Sequence, residues 1–112
     1  MKNQCKKIEE LLHKLEPHVI IYTTNKGNNY HFIEYRNNRL YFDIPNHKHP
    51  VSPYKKAITE HQFCGLLNKL QTNKILISED FPFQDCRKAA FYGFVNILCP
   101  NKATKAKGQI MI

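Results

Sequence analysis

The first fifteen residues place apolar side chains at the spacing of a helix. The positions i, i+3, i+4 and i+7 are occupied by Ile8, Leu11, Leu12 and Leu15. Charged residues lie between them, so the pattern predicts an amphipathic helix over residues 3–15 that Pro17 ends. Residues 18–24 are β-branched and aromatic, which is typical of a short strand, and a cluster of Asn and Gly follows them.

Two longer strand patterns, residues 30–36 and 39–44, flank an Asn37-Asn38 pair and predict a β-hairpin with a type I′ turn. A two-residue turn would set Phe32 opposite Asp43, and it would give the hairpin two distinct faces. The face predicted to pack on the core consists of Ile33, Tyr35, Leu40, Phe42 and Ile44. The face predicted to point outward consists of Phe32, Glu34, Arg36, Arg39, Tyr41 and Asp43.

The second half of the chain begins with a proline-rich segment, residues 45–57. Its three prolines have no backbone N–H group to donate to a helix or sheet. The segment is therefore predicted to be a long loop and a candidate for ligand recognition. Thr59 and Gln62 have the spacing of a capping box, and the apolar stripe of a second helix follows them to about Asn73. Residues 74–78 have the composition of a short strand.

A third helix is predicted from Cys86 to about Leu98, and its apolar residues cover most of its circumference, which indicates a central position. Residues 101–108 are predicted to be a basic loop containing Lys102, Lys105 and Lys107, and residues 109–112 a closing strand. The whole chain, residues 1–112, is thus predicted to be one small α+β domain in the order α-β-β-β-α-β-α-β. Its antiparallel sheet would carry the helices on one face.

Length and composition fit a folded domain, because 112 residues with 42% hydrophobic content can bury a core. No window reaches the roughly 18 apolar residues of a membrane span, and the charged first ten residues do not resemble a secretory signal. We therefore expect a cytoplasmic protein with no membrane partner. The four cysteines form no C-x-x-C pair, so reduced thiols are expected.

Charge narrows the possible partners. Seventeen Lys and Arg against nine Asp and Glu give a formal net charge of +8 and a pI near 9.4. Such a surface attracts polyanions, so nucleic acid, RNA or DNA, is the first candidate partner. An acidic protein surface is the second, which would make the protein a small inhibitor or accessory protein of a nucleic-acid enzyme.

The outward face of the hairpin is the first candidate site. Arg36 and Arg39 oppose each other beside the turn, and two like charges in that position require a counter-charge. Glu34 on the same face can supply it, or the arginines can meet phosphate while Tyr41 and Phe32 stack on bases. Nucleic-acid binding of this kind predicts an affinity that falls steeply with salt and drops when Arg36 and Arg39 become alanine.

Two further basic pairs stand near predicted helix starts. Lys55 and Lys56 precede the second helix, where its dipole would help them to hold phosphate. Arg87 and Lys88 begin the third helix, where cations oppose the dipole unless an anion lies nearby. The predicted nucleic-acid-binding residues are therefore Arg36, Arg39, Tyr41, Phe32, Lys55, Lys56, Arg87 and Lys88.

Metal binding and catalysis have less support. The four possible zinc ligands are His47, His49, His61 and Cys64, but their spacing fits no familiar zinc module, so no metal and no cofactor is predicted. The chain contains no nucleophile elbow, Walker loop or metalloprotease pattern. An enzyme is left open only as a metal-independent ribonuclease of toxin type. Its acid–base and phosphate-stabilising groups would come from His31, Glu34, Arg36, Arg39, Tyr41, His47 and His49.

The predicted order of helix, three strands and helix over residues 3–71, with Lys55 and Lys56 before the second helix, resembles the outline of a double-stranded-RNA-binding domain. That family holds phosphates with a lysine pair at this helix start. The family's characteristic residues in the first helix and first loop are missing here, and the elements after Asn73 have no place in it. The resemblance is therefore one of architecture alone.

Overall fold

Three helices and seven strands make up the part of the chain that the computed structural model describes, residues 7–48, 50–100, 103–106 and 109–112. The first half consists of α1 (Lys7–Lys14), β1 (Ile20–Thr23), β2 (Asn29–Arg36), β3 (Arg39–Ile44) and β4 (Val51–Thr59). The second half consists of α2 (Glu60–Asn73), β5 (Ile75–Leu76), a 3₁₀ turn (Ser78–Asp80), α3 (Arg87–Leu98), β6 (Thr104–Ala106) and β7 (Gln109–Met111).

The strands form two antiparallel sheets. The larger sheet has the order β1-β2-β3-β4, and the smaller has the order β5-β7-β6. This is the predicted α+β class in roughly the predicted order. The structure adds two strands, β4 and β6, and divides the sheet in two. Lys105 lies on β6, where a loop had been predicted, and Lys102 and Lys107 lie outside the described residues.

The proline-rich segment is the largest departure from the sequence-based prediction. Residues 45–57 were predicted to be a loop, but Val51–Thr59 forms β4, an edge strand of the larger sheet. An edge strand tolerates Pro53 because one side of its backbone has no neighbour to receive an N–H group. Only Ile58 of this strand is buried, so the strand lacks the apolar alternation by which sequence reasoning recognises a strand.

The hairpin turn is as predicted, but the register beyond it is not. Asn37 and Asn38 have φ angles of 54° and 60°, as a type I′ turn requires. A β-bulge at Ile33 then shifts the pairing by one residue, so that Phe32 lies opposite Phe42 and no longer opposite Asp43. Phe32 is consequently in the core, and the prediction that its ring points outward for stacking is wrong.

Two predictions about the helices are confirmed. Thr59 and Gln62 form a reciprocal capping box at the start of α2. Helix α3 lies at the centre of the fold, where its buried residues pack against β1 and α1. Gly93 permits this packing, since a Cβ atom there would lie 2.6 Å from the carbonyl oxygen of Ile21.

The cysteines differ from the expectation in one case. Cys86 and Cys99 are free thiols. Cys64, buried on α2, is disulfide-bonded, so the expectation of reduced thiols is wrong for this residue.

Among the helices of the described ranges, none has the length and apolar character needed to cross a membrane.

Candidate functional site

A groove of about 290 Å³ runs along the edge strand β4. It is lined by side chains of strands β3 and β4 and of helices α2 and α3. We call it the β4 groove. Its lining consists of Arg39 and Tyr41 of β3, Tyr54, Lys55, Lys56, Ala57 and Thr59 of β4, Gln62 of α2 and Arg87 of α3. Five of the eight residues that the sequence predicted as binding residues therefore share one concave surface: Arg39, Tyr41, Lys55, Lys56 and Arg87.

A wide bulge in β4 carries part of this lining outward. Phe42 pairs with Lys56, but the next pair joins Ile44 to Val51, so residues 52–55 of β4 stand opposite Asp43 alone. The extra residues cannot continue the ladder and bend away from the sheet. The bulge contains Tyr54 and Lys55, and both line the groove.

The inner side of the groove is held together by a shared carboxylate. Asp85 accepts a hydrogen bond from Lys56 Nζ at 2.7 Å and another from Arg87 Nε at 2.9 Å. Partial burial acts to raise the pKa of Asp85, but the hydrogen bonds from Arg87 and Lys56 outweigh it and hold that pKa well below its usual range. Asp85 thus supplies the anion that Arg87 requires at the start of α3, and it ties α3 to β4.

This arrangement predicts an acid-sensitive contribution to stability. A carboxyl group whose folded pKa is lowered stabilises the fold above its unfolded pKa, and that contribution is lost as the pH falls toward the folded pKa. We expect Asp85→Asn to lower the free energy of unfolding at pH 6, and we expect the difference from wild type to shrink between about pH 4 and pH 2. Urea unfolding followed by circular dichroism at several pH values measures it.

The exposed Glu79 offers a control for this measurement, because in the described part of the chain its carboxylate forms no ion pair. Glu79→Gln is expected to leave the free energy of unfolding nearly unchanged at every pH. A difference between Asp85→Asn and wild type that stays constant from pH 6 to pH 2 would contradict the role assigned to the carboxylate.

The outer rim of the groove is an aromatic and charged cluster. The guanidinium of Arg36 lies 4.7 Å from the centroid of the Tyr54 ring and 5.7 Å from that of Tyr41. The hydroxyl of Tyr54 donates to Glu34 Oε2 at 2.6 Å, and this hydrogen bond raises the pKa of Tyr54. We call Glu34, Arg36, Tyr41 and Tyr54 the Tyr54 cluster. Arg36 also forms an ion pair with Glu34 at 3.5 Å, so Glu34 supplies the counter-charge that the sequence had offered as one alternative.

Two cations of the groove, Arg39 and Lys55, differ from Arg36, Lys56 and Arg87 in their pairing. They form no ion pair within the described part of the chain. Glu60 lines a neighbouring pocket with Arg39 beside the hairpin turn but forms no ion pair with it in the described part of the chain, and its carboxylate accepts a hydrogen bond from the hydroxyl of Tyr35. The β4 groove, the Tyr54 cluster and Asp85, which bonds to two of the lining cations, together contain five cations and two carboxylates. The positive charges are Arg36, Arg39, Lys55, Lys56 and Arg87, and the negative charges are Glu34 and Asp85. The site carries a positive excess of three charges.

The structure separates Lys88 from the other predicted binding residues. Its Nζ donates to Ser78 Oγ and to Gln84 Oε1, both at 3.0 Å, and it lines a different pocket of about 320 Å³. Neighbouring residues of an α-helix point about 100° apart, so Arg87 and Lys88 cannot both face β4. Lys88 therefore lies outside the β4 groove, and its role in binding stays a prediction.

Tyr54 is a residue of this site that sequence reasoning did not single out. It lies inside the segment that was predicted to be a recognition loop, next to Lys55. That position was the available signal. Its place in the groove depends on the bulge of β4, which no local pattern of residues indicates.

The histidines do not assemble a metal centre in the described ranges, where no group of three or more His, Cys, Asp or Glu residues could hold a metal ion. His49 lies outside those ranges. His31 lies opposite Asp43 on the larger sheet, with its Nδ1 3.3 Å from Asp43 Oδ1, and neither residue lines the β4 groove.

Comparison with known proteins gives no family for this chain. No protein-family model, no curated protein and no solved structure matches it. The structure also departs from the outline of a double-stranded-RNA-binding domain, because four strands, not three, separate α1 from α2. Lys55 and Lys56 lie on β4 and do not begin α2, so their prediction as helix-start lysines is wrong.

Proposed function

We propose that this protein binds nucleic acid through the β4 groove. The observation that carries the proposal is the convergence of Arg39, Lys55, Lys56 and Arg87 from β3, β4 and α3 on one concave surface. A continuous basic groove suits a chain of phosphates better than a single anion.

The charges that lack an internal partner are the ones suited to phosphate. Arg39 and Lys55 are exposed and have no carboxylate within ion-pair distance among the described residues. No internal carboxylate therefore competes with a ligand for these two side chains. Arg39 can bind two phosphate oxygens at once, and Lys55 acts as a flexible point charge. Lys56 and Arg87 share Asp85, which leaves one further positive charge on the inner side.

The groove favours binding over cleavage. Among the described residues its lining includes no histidine and no carboxylate. The adjacent carboxylates, Glu34 and Asp85, are engaged by Tyr54 and by Lys56 and Arg87, so neither is free to act as a general base on a bound phosphate chain. Aromatic side chains at its rim, Tyr41 and Tyr54, favour nucleic acid over an acidic protein surface, because bases can stack on them. Binding to an acidic protein is the competing outcome of the experiment.

A double substitution with a charge-matched control tests the proposal. We expect Arg39→Ala combined with Lys55→Ala to weaken binding of a fluorescent oligonucleotide roughly tenfold at about 100 mM salt. The slope of log K against log salt should fall by about two, since each lost phosphate contact removes a little under one unit. Fluorescence polarisation across a salt series measures both.

The control variant combines Lys7→Ala with Lys26→Ala, two lysines outside the groove, of which Lys26 is exposed and Lys7 is partly exposed and paired with Glu10. Like the test variant, it lowers the net charge of +8 by two positive charges. We expect its affinity to stay within about twofold of wild type, since net charge acts weakly beyond a Debye length of about 10 Å. Equal losses in the two variants, or no binding to RNA or DNA at low salt, would overturn the proposal.

A further inference from the structure

Tyr54 combines an unusual backbone with an exposed ring. Its φ angle is 69°, in the left-handed region that aromatic residues rarely occupy, and 46% of its surface is exposed. A glycine or asparagine would adopt this conformation more readily. Strained residues with exposed side chains are enriched at binding sites, so this position is a candidate for direct contact with a ligand.

The ring of Tyr54 is held in place before any ligand arrives. Glu34 accepts its hydroxyl proton at 2.6 Å, Arg36 lies over the ring at 4.7 Å, and the Tyr41 ring packs against it at 5.1 Å with an angle of 60°. A side chain fixed in this way loses little conformational freedom on binding. The guanidinium also adds a cation–π contact to the ring that a stacked base would extend.

The position of the Tyr54 ring determines whether a base of single-stranded or of duplex nucleic acid can stack on it. Tyr54 lines the β4 groove together with Arg39 and Lys55, so a base above Tyr54 would belong to a strand whose phosphates reach those cations. In a duplex the base faces are stacked on each other and covered, and only an unpaired base can offer its face to an exposed ring.

We propose that Tyr54 stacks on an unpaired base and that the β4 groove selects single-stranded over duplex nucleic acid. This inference rests on the proposed function and names its substrate class. The Tyr54 cluster provides the base contact, while Arg39 and Lys55 provide the phosphate contacts. Sequence preference is expected to be weak, because every base has a face that can stack.

The test uses labelled single strands, a 12-nucleotide oligo(dT) and a 12-nucleotide oligo(U), and a 12-base-pair DNA duplex in the same polarisation assay. Wild-type protein is expected to bind at least one single strand about tenfold more tightly than the duplex. Tyr54→Gly removes the ring and accepts the positive φ angle without strain. We expect it to weaken single-strand binding about tenfold and to leave duplex binding within twofold.

Tyr54→Phe is the matched control, since it keeps the stacking face and loses only the hydrogen bond to Glu34. It is expected to retain single-strand binding within about threefold. Duplex binding as tight as single-strand binding, or an equal loss on both ligands in Tyr54→Gly, would overturn this inference while leaving the groove as a phosphate site. The absence of salt-dependent binding to all three ligands would instead remove the proposed function itself.

Discussion

Phe32→Ala is expected to lower the free energy of unfolding by about 3–5 kcal/mol, the usual effect of truncating a buried phenylalanine. Phe32 is 4% exposed and its ring packs edge-on against Phe94 of α3 at a centroid distance of 6.1 Å. Removing it would leave a cavity between the sheet and the central helix. Urea unfolding monitored by circular dichroism measures the loss, which is a large part of the stability of a domain of this size.

The same experiment discriminates between the two possible registers of the hairpin. With an unbroken register Phe32 would lie on the outward face, and its truncation would cost less than about 1 kcal/mol. Tyr41→Ala on that outward face is the comparison, and we expect it to cost about 1 kcal/mol, since Tyr41 is only partly buried and its ring contacts are with Tyr54 and Arg36 at the surface. Equal effects of the two substitutions would mean that the bulge at Ile33 is absent.

Gly93→Ala is expected to destabilise the fold by about 2–3 kcal/mol, against the usual preference of helices for alanine. A Cβ atom at Gly93 would lie 2.6 Å from the carbonyl oxygen of Ile21 and 3.1 Å from Cβ of Tyr22. The carbonyl oxygen is part of the backbone of β1, and the Cβ atom of Tyr22 is bonded directly to that backbone. Neither can move by a side-chain rotation, so the strand and the helix would have to move apart. Thermal unfolding is expected to show a lowered midpoint.

Gly65 provides the matched control, because it also lies within a helix but a Cβ atom there would meet nothing within 4 Å. Gly65→Ala is expected to stabilise the fold by about 0.5–1 kcal/mol through helix propensity alone. The two substitutions should therefore have opposite signs. A stabilising effect of Gly93→Ala would contradict the close packing of α3 on β1.

The accuracy of the sequence-based predictions follows the range of the interactions involved. The capping box of Thr59 and the turn at Asn37 and Asn38 involve neighbours along the chain, and both were predicted correctly. The bulge at Ile33 and the edge strand β4 depend on what each strand packs against, and both were missed. A one-residue shift moves a side chain to the other face, which is why the prediction failed for Phe32.

The candidate site was predicted in part for the same reason. Basic composition and individual cations such as Arg39 and Lys55 were visible along the chain, since charge needs no fold to be counted. Their assembly was not visible, because it brings β3, β4 and the start of α3 to one groove. Tyr54 became a candidate only when the bulge of β4 placed it beside them.

The amino-acid sequence alone determined the α+β class, the central apolar helix, the hairpin turn and the excess of positive charge, since each depends on local periodicity or on composition. The tertiary structure decided which cations share a surface, which of them Glu34 and Asp85 neutralise, and that Phe32 is core. These depend on contacts between residues far apart in the chain, whose geometry is set by how the sheet bends and where α3 packs, and not by any pattern among neighbouring residues.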